Sequence, residues 1–173
     1  MRLNIRFLFL TGLAASCAAG QFRENTTPEL NCDSSHRGRD NNHRTCEMRE
    51  QKLPVSQKLD INASPNGGVS VKGWNRSEIW VRAKVEAGSK TSEADAKALA
   101  SQVRLVASAG RIEAAGPETR GDGRYWSVSY EVFVPHKIDL FAKTVNGGVN
   151  YQDVEGRLEY STVNGGGNLA RLA

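Results

Sequence analysis

Thr144-Val-Asn-Gly-Gly148 recurs as Thr162-Val-Asn-Gly-Gly166, a displacement of 18 residues. Between the copies, Val149, Tyr151, Val154, Leu158 and Tyr160 are spaced as short strands broken at Gln152-Asp153 and Glu155-Gly156. A further copy of the core, Asn66-Gly-Gly-Val-Ser-Val71, stands apart near the start of the apolar region. Asn66, Gly67, Gly68, Asn146, Gly147, Gly148, Asn164, Gly165 and Gly166 are therefore candidate structural turn residues. Asn and Gly tolerate positive φ, which lets the chain reverse sharply between strands. One turn per repeated unit predicts a β-solenoid, in which each rung stacks on the last. An Asn-Gly hairpin remains open for any single copy. A phosphate loop would need a Gly-Lys-Ser/Thr ending, which is missing. A calcium repeat would set Asp regularly beside the glycines, and only Asp153 and Glu155 are near.

Outward from the repeat the signal stays β. Ser77 to Glu86 alternates, with Ile79, Val81, Ala83 and Val85 on one face. Arg124 to Pro135 does the same with Trp126, Val128, Tyr130, Val132 and Val134, and Lys137 to Lys143 with Ile138, Leu140 and Ala142. Val55, Leu59 and Ile61 precede the first Asn-Gly-Gly, after which Val69-Ser-Val71 alternates until Gly73 interrupts. One helix is expected from Ser92-Glu-Ala-Asp95, a capping-box-like start with carboxylates in the first turn, to about Gln102. Ala107 to Gly123 reads as two short strands or loops. The expected fold is mainly β, a β-sheet region with one helix followed by a β-solenoid-like C-terminal part with rungs from residue 144.

Residues 1–20 read as an export signal. Arg2 and Arg6 form a positive start, Phe7-Leu-Phe-Leu10 opens a short apolar run, and small residues follow. That run falls short of the roughly 20 residues a membrane-spanning helix needs. Leu13-Ala-Ala-Ser-Cys17 is similar to a bacterial lipobox, which makes Cys17 the candidate lipidation site and membrane anchor. It departs from that pattern at Ala14, and cleavage after Ala19 or Gly20 to give a soluble secreted protein is the alternative. With Cys17 set aside, Cys32 and Cys46 form an even pair suited to a disulfide in an oxidising compartment. His36 and His43 lie between them, so a zinc site is the competing reading, although the spacing is not that of a standard finger. Residues 21–51 are polar and almost without apolar periodicity, which predicts a flexible tether; the folded domain is expected over 52–173.

The segment Leu53 to Leu172 resembles the adhesin-like family of bacterial envelope proteins known as domain of unknown function 4097. Pro65-Asn-Gly-Gly-Val-Ser-Val-Lys-Gly-Trp74, Trp80-Val-Arg-Ala-Lys-Val85, Trp126-Ser-Val-Ser-Tyr-Glu-Val-Phe-Val-Pro135 and the two Thr-Val-Asn-Gly-Gly units carry the likeness, in that order. The resemblance implies an exported protein of the outer membrane or periplasm, ending in a right-handed parallel β-helix, with no established catalytic residues. Members usually run on through more Asn-Gly-Gly rungs, whereas this sequence stops at Ala173. A solenoid needs about three repeats plus caps, so a C-terminally truncated chain is the expectation.

Chemistry is sparse. His136 follows Pro135 at a strand end, and Ser127 and Ser129 lie within a strand, so no nucleophile–base pair can be read. No catalytic residue, metal or cofactor is assigned, and the chain is read as a non-enzyme with an unknown protein or polysaccharide ligand. A carbohydrate-active β-helix enzyme is the alternative, which Asp139, Asp153, Glu155 and Glu159 would have to serve from one face. Trp74, Trp80, Trp126, Tyr125 and Tyr151 are either sugar-stacking platforms or core. Arg120-Gly-Asp122 matches a cell-attachment tripeptide and equally reads as a charged turn. The net charge of +4 falls to +2 without Arg2 and Arg6, with no basic stripe, which argues against nucleic acid.

Overall fold

The computed structural model describes residues 27–33, 42–119 and 121–172. Among the described residues, eleven strands and one helix run in the order β1 (His43–Leu53), β2 (Lys58–Asn62), β3 (Val69–Trp74), β4 (Ile79–Ser89), α1 (Glu93–Gln102), β5 (Arg104–Ser108), β6 (Arg111–Ala115), β7 (Arg124–Pro135), β8 (Asp139–Lys143), β9 (Val149–Gln152), β10 (Leu158–Ser161) and β11 (Gly167–Ala170). They form two mixed sheets, β1-β4-β7-β3-β9-β11 and β10-β8-β2-β6-β5. The described residues are mainly β with a single helix. Pairing is antiparallel for β1–β4, β4–β7 and β5–β6, and parallel elsewhere.

One cluster of buried apolar side chains fills the space served by both sheets and α1. Leu59 and Ile61 of β2, Val71 of β3, Val81 and Ala83 of β4, Leu99 of α1, Val132 of β7 and Tyr151 of β9 all belong to it. Each fully buried Leu, Ile or Val contributes about 1.5–3 kcal/mol. An exposed pair such as Arg157–Glu159 contributes about 0–1 kcal/mol. The core therefore decides the fold.

Parallel neighbours near the C-terminus are offset by 18 residues. Leu140 faces Leu158, and Val149 faces Gly167. The copy at Asn66 is not isolated in space, because Val69 faces Val149 across the β3–β9 pair. Asn66, Asn146 and Asn164 line up by parallel bridges. Asn146 Nδ2 donates to Asn66 Oδ1 at 2.7 Å, and Asn164 Nδ2 to Asn146 Oδ1 at 2.8 Å. Thr144 and Thr162 donate their hydroxyls to the carbonyls of Gly67 and Gly147, at 2.8 and 3.0 Å. These bonds stack one motif on the next through the very groups that repeat.

Two readings from the sequence need correction here. The polar stretch taken as a tether to residue 51 holds β1, which pairs with β4 from His43 to Leu53. It has no apolar periodicity because other bonds hold it. Arg49 caps the end of α1, donating to the Ala100 and Val103 carbonyls, and backbone bonds to β4 do the rest. The second concerns the glycines. Of the six in the three motifs, only Gly67 has positive φ, at +155°. Gly147 and Gly165 are required by space instead: a Cβ on them would lie 2.1 Å from the Gly67 oxygen and 2.0 Å from the Gly147 oxygen. Gly73, likewise, does not interrupt β3 but lets it pass the Asp153 carbonyl, 1.8 Å from where a Cβ would sit.

The helix starts as its sequence indicates. Ser92 Oγ accepts from the Asp95 N–H at 3.1 Å, with Glu93 and Asp95 in the first turn. Asp95 does not reach back to the cap; its carboxylate accepts from Ser89 Oγ at 2.6 Å.

Candidate functional site

Alternation puts Val69, Val71, Val149 and Tyr151 in the core, so Ser70, Lys72, Asn150 and Gln152 lie on the opposite face of the larger sheet. The registers on that face combine into a single transverse row. Asn168, Asn150, Ser70, Glu131, Arg82 and Glu50 stand opposite one another in turn, across β11, β9, β3, β7, β4 and β1. Half of this row is uncharged and half is charged.

The uncharged half borders a groove of about 590 Å³. Gly68, Gly148 and Gly166 line it beside Ser129, and Ser70, Asn150 and Asn168 line it alongside. Asn168 Nδ2 donates to Asn150 Oδ1 at 3.0 Å, and Asn150 Nδ2 to Ser70 Oγ at 3.4 Å. The amide chain leaves carbonyl and N–H valences along the bank, because each Asn carries two donors and a two-lone-pair acceptor. Leu30 closes one end of the groove.

The charged half is covered by residues 27–33. Glu29 N–H and Leu30 N–H both donate to the Glu131 carboxylate, at 2.9 and 3.2 Å, and Arg82 Nη1 donates to the Leu30 carbonyl at 2.8 Å. Beneath them Lys72 Nζ lies 2.9 Å from Glu131 Oε1, and Arg82 Nη1 lies 2.5 Å from Oε2. Lys72 also reaches Glu29 at 3.1 Å, and Arg82 reaches Glu50 at 3.0 Å. Lys72 and Glu131 are each 2% exposed. Burial alone would push the Glu131 carboxyl up, yet the Glu29 amide, Lys72, Arg82 and the Leu30 amide together hold it below its ordinary value. Lys72, Arg82 and Glu131 stand in the sequence only as letters of the strand motifs, with no role read for them. The signal was a charge at an outward position of each of three alternating strands, which only register brings together.

Cys32 and Cys46 are joined as a disulfide with Cα atoms 5.8 Å apart, which ties residues 27–33 to β1. Both thiolates are consumed, leaving neither for zinc. His36, Cys17 and the whole of residues 1–20 lie outside the described residues, as does Arg120. Asp122 accepts from Arg124 side chain and backbone, at 2.8 and 2.9 Å, the arrangement of a charged turn.

Of the candidate carboxylates of an enzyme, Asp139 and Glu159 share Arg157 and line one pocket with Lys58, whereas Asp153 and Glu155 are engaged elsewhere. Asp153 takes both Arg171 nitrogens, at 2.6 and 2.7 Å, and Arg171 chiefly holds its carboxyl low against the opposing effect of burial. Asp139 accepts from the Arg157 N–H at 2.8 Å, Glu155 pairs with Lys137 at 3.4 Å, and Glu159 pairs with Arg157. His136 is bonded at both ring nitrogens, by the Asp153 carbonyl at 2.6 Å and Asn75 Oδ1 at 3.1 Å. The aromatics pack among themselves: Phe133 lies 5.4 Å from Trp74 and 5.1 Å from Trp80, with Arg76 over Trp74 and Arg82 over Trp80. Trp126 donates to the Pro117 carbonyl, and Tyr151 to that of Glu159. Among the described residues, no group of three His, Cys, Asp or Glu is placed to hold a metal, and no helix is long and apolar enough to cross a membrane.

No protein-family model and no curated protein matches the chain. Solved structures similar to it include a "putative adhesin" from Bacteroides fragilis, at TM-score 0.42 and 12% identity over 73% of this chain and 55% of that one. A "putative lipid binding protein" from Parabacteroides distasonis gives TM-score 0.37 and 10% identity, over 66% and 46%. A "putative adhesin" from the same organism gives 0.36 and 12%, over 71% and 56%. The chain spans about half the length of these proteins.

Proposed function

We propose that this chain is an exported, non-catalytic protein of the bacterial cell envelope, of the domain of unknown function 4097 kind. Its strand pairs β2–β3, β8–β9 and β10–β11 are read as rungs of a parallel β-helix. The 18-residue offsets, the parallel registers and the stacked Asn66, Asn146 and Asn164 support that reading. The open half of the transverse row serves as the interaction surface for a protein or polysaccharide. The observation that carries this is a groove whose bank presents aligned amide and hydroxyl groups one strand spacing apart, about 4.8 Å. A polymer lying across the strands meets an equivalent group at each step. The enzymatic alternative is the weaker reading, since of its four carboxylates only Asp139 and Glu159 share a pocket, where Arg157 bonds to both.

Asn168 stands at the end of the amide chain, so Asn168→Ala removes one surface group with little cost to folding. Among polysaccharides and envelope proteins screened by calorimetry, any ligand of the wild type is expected to bind this variant about tenfold more weakly. Equal binding by the two proteins would sink the groove as the site. The anchor is tested separately, by metabolic labelling with a fatty-acid analogue in wild type and Cys17→Ala. Label on the wild type alone is expected, because Cys17→Ala removes the thiol to which the lipid would be attached. An unlabelled wild type moves the protein to the soluble periplasm or the medium.

A further inference from the structure

Residues 27–33 occupy the row that the groove leaves open. Their main chain crosses the sheet over Glu131 and Arg82, and Leu30 forms the groove's end wall. This segment is weakly held. Its residues are exposed apart from half-buried Leu30 and Cys32, and Glu29, which reaches Lys72, is itself 75% exposed. Among the described residues, the remaining ties are three hydrogen bonds to the cluster and the covalent bond at Cys32. Segments with few buried apolar contacts open locally at low free energy, and a covalent tie keeps such a segment at high effective concentration over its site.

We propose that residues 27–33 form a thiol-sensitive strap, which a dithiol reductant releases so that the groove extends onto the charged half of the row. One thiolate of the dithiol attacks a sulfur of Cys32–Cys46, giving a mixed disulfide and freeing one cysteine thiolate. The second thiol displaces the other cysteine, so two electrons and two protons pass to the pair and the dithiol leaves as a cyclic disulfide. Cys32 and Cys46 are half-buried residues rather than part of the sealed core. Release strips two N–H donors from Glu131 while Lys72 and Arg82 remain beside it. The uncovered half then offers a carboxylate acceptor and two cationic donors to an extended ligand, the same groups that now hold the strap's main chain.

The purpose of the strap rests on the reading of the row as an interaction surface, but its release is read without any ligand. Full-length protein, oxidised and after dithiothreitol, is compared with Cys32→Ser/Cys46→Ser by hydrogen exchange over residues 27–33 and by acylation of Lys72. The expected result is exchange and acylation about tenfold faster or more in the reduced protein and in the double variant, with circular dichroism of the sheets unchanged. Lys72 acylation unchanged by reduction would overturn the proposal, since the cluster alone would then hold the strap. Loss of the whole fold on reduction would overturn it as well, since the disulfide would then support the domain. A groove that binds nothing would leave both measurements as they are.

Discussion

Gly147→Ala is expected to lower unfolding stability by about 3 kcal/mol, the upper end of the ordinary range for overpacking. An added Cβ falls 2.1 Å from the Gly67 oxygen and 2.7 Å from its carbon, both backbone atoms that cannot swing aside. Relief requires β9 to move away from β3. That movement strains the Thr144 hydroxyl bond to Gly67, the Asn146–Asn66 amide bond and the parallel ladder from Val69 to Lys72 together. Gly148→Ala is the matched control, because its Cβ would meet the Gly166 oxygen at 3.5 Å, an ordinary contact, and its cost is expected to stay within about 1 kcal/mol. Gly165→Ala tests how far the backbone can yield to the same kind of clash. Its clash, 2.0 Å from the Gly147 oxygen, is as severe, but β11 is the last strand of its sheet and can shift outward. Its cost should fall between the other two. Urea midpoints for the three variants at equal m-value decide the order. A Gly147→Ala midpoint equal to that of Gly148→Ala would mean the motifs are turns and nothing more.

That glycine contrast also marks where sequence reasoning stops. The recurrence of Thr-Val-Asn-Gly-Gly is legible as a period, but its reason is a contact between motifs, and contacts are not written along the chain. Asn66 lies 80 residues from Asn146, with α1 and the strands β3 to β8 between them, so the first copy looks isolated until the parallel register is seen. Strands that pack one face on the core, such as β7 from Arg124 to Pro135, carry that fact as alternation and were legible to the residue. The start of α1 was legible because Ser92 caps it locally. β1 was not, because it is an edge strand held by backbone bonds and by Arg49 rather than by an apolar face. The transverse row is further from view still. Lys72, Arg82 and Glu131 each look like a solvated charge of an alternating strand, and their complementarity exists only once the β3–β7 and β4–β7 registers are fixed.

Glu131→Gln should destabilise the protein by about 3–5 kcal/mol, because it leaves Lys72 and Arg82 as buried cations without their shared counter-charge. A buried pair is weak evidence of net stabilisation, since taking the ions from water offsets much of their attraction, but removing one partner exposes the full desolvation cost of the others. Glu159→Gln, which breaks only the exposed pair with Arg157, is the control and should cost within about 0.5 kcal/mol. Acid supplies the same change without mutation. The folded Glu131 carboxyl lies below its unfolded value of about 4.3, so the folded state binds its proton less readily. Its contribution is then fully present above that value and is lost as pH falls through the lower folded value. Asp153, held low by Arg171, adds a loss of the same sign below about 3.9. Wild-type urea midpoints should therefore be flat from neutral pH to about 5 and fall steeply below about 4. The Glu131→Gln protein should start lower and fall less over that interval, retaining the slope due to Asp153. Parallel acid slopes in the two proteins would show that Glu131 does not carry the linkage, and that the cluster is screened by water rather than sealed beneath residues 27–33.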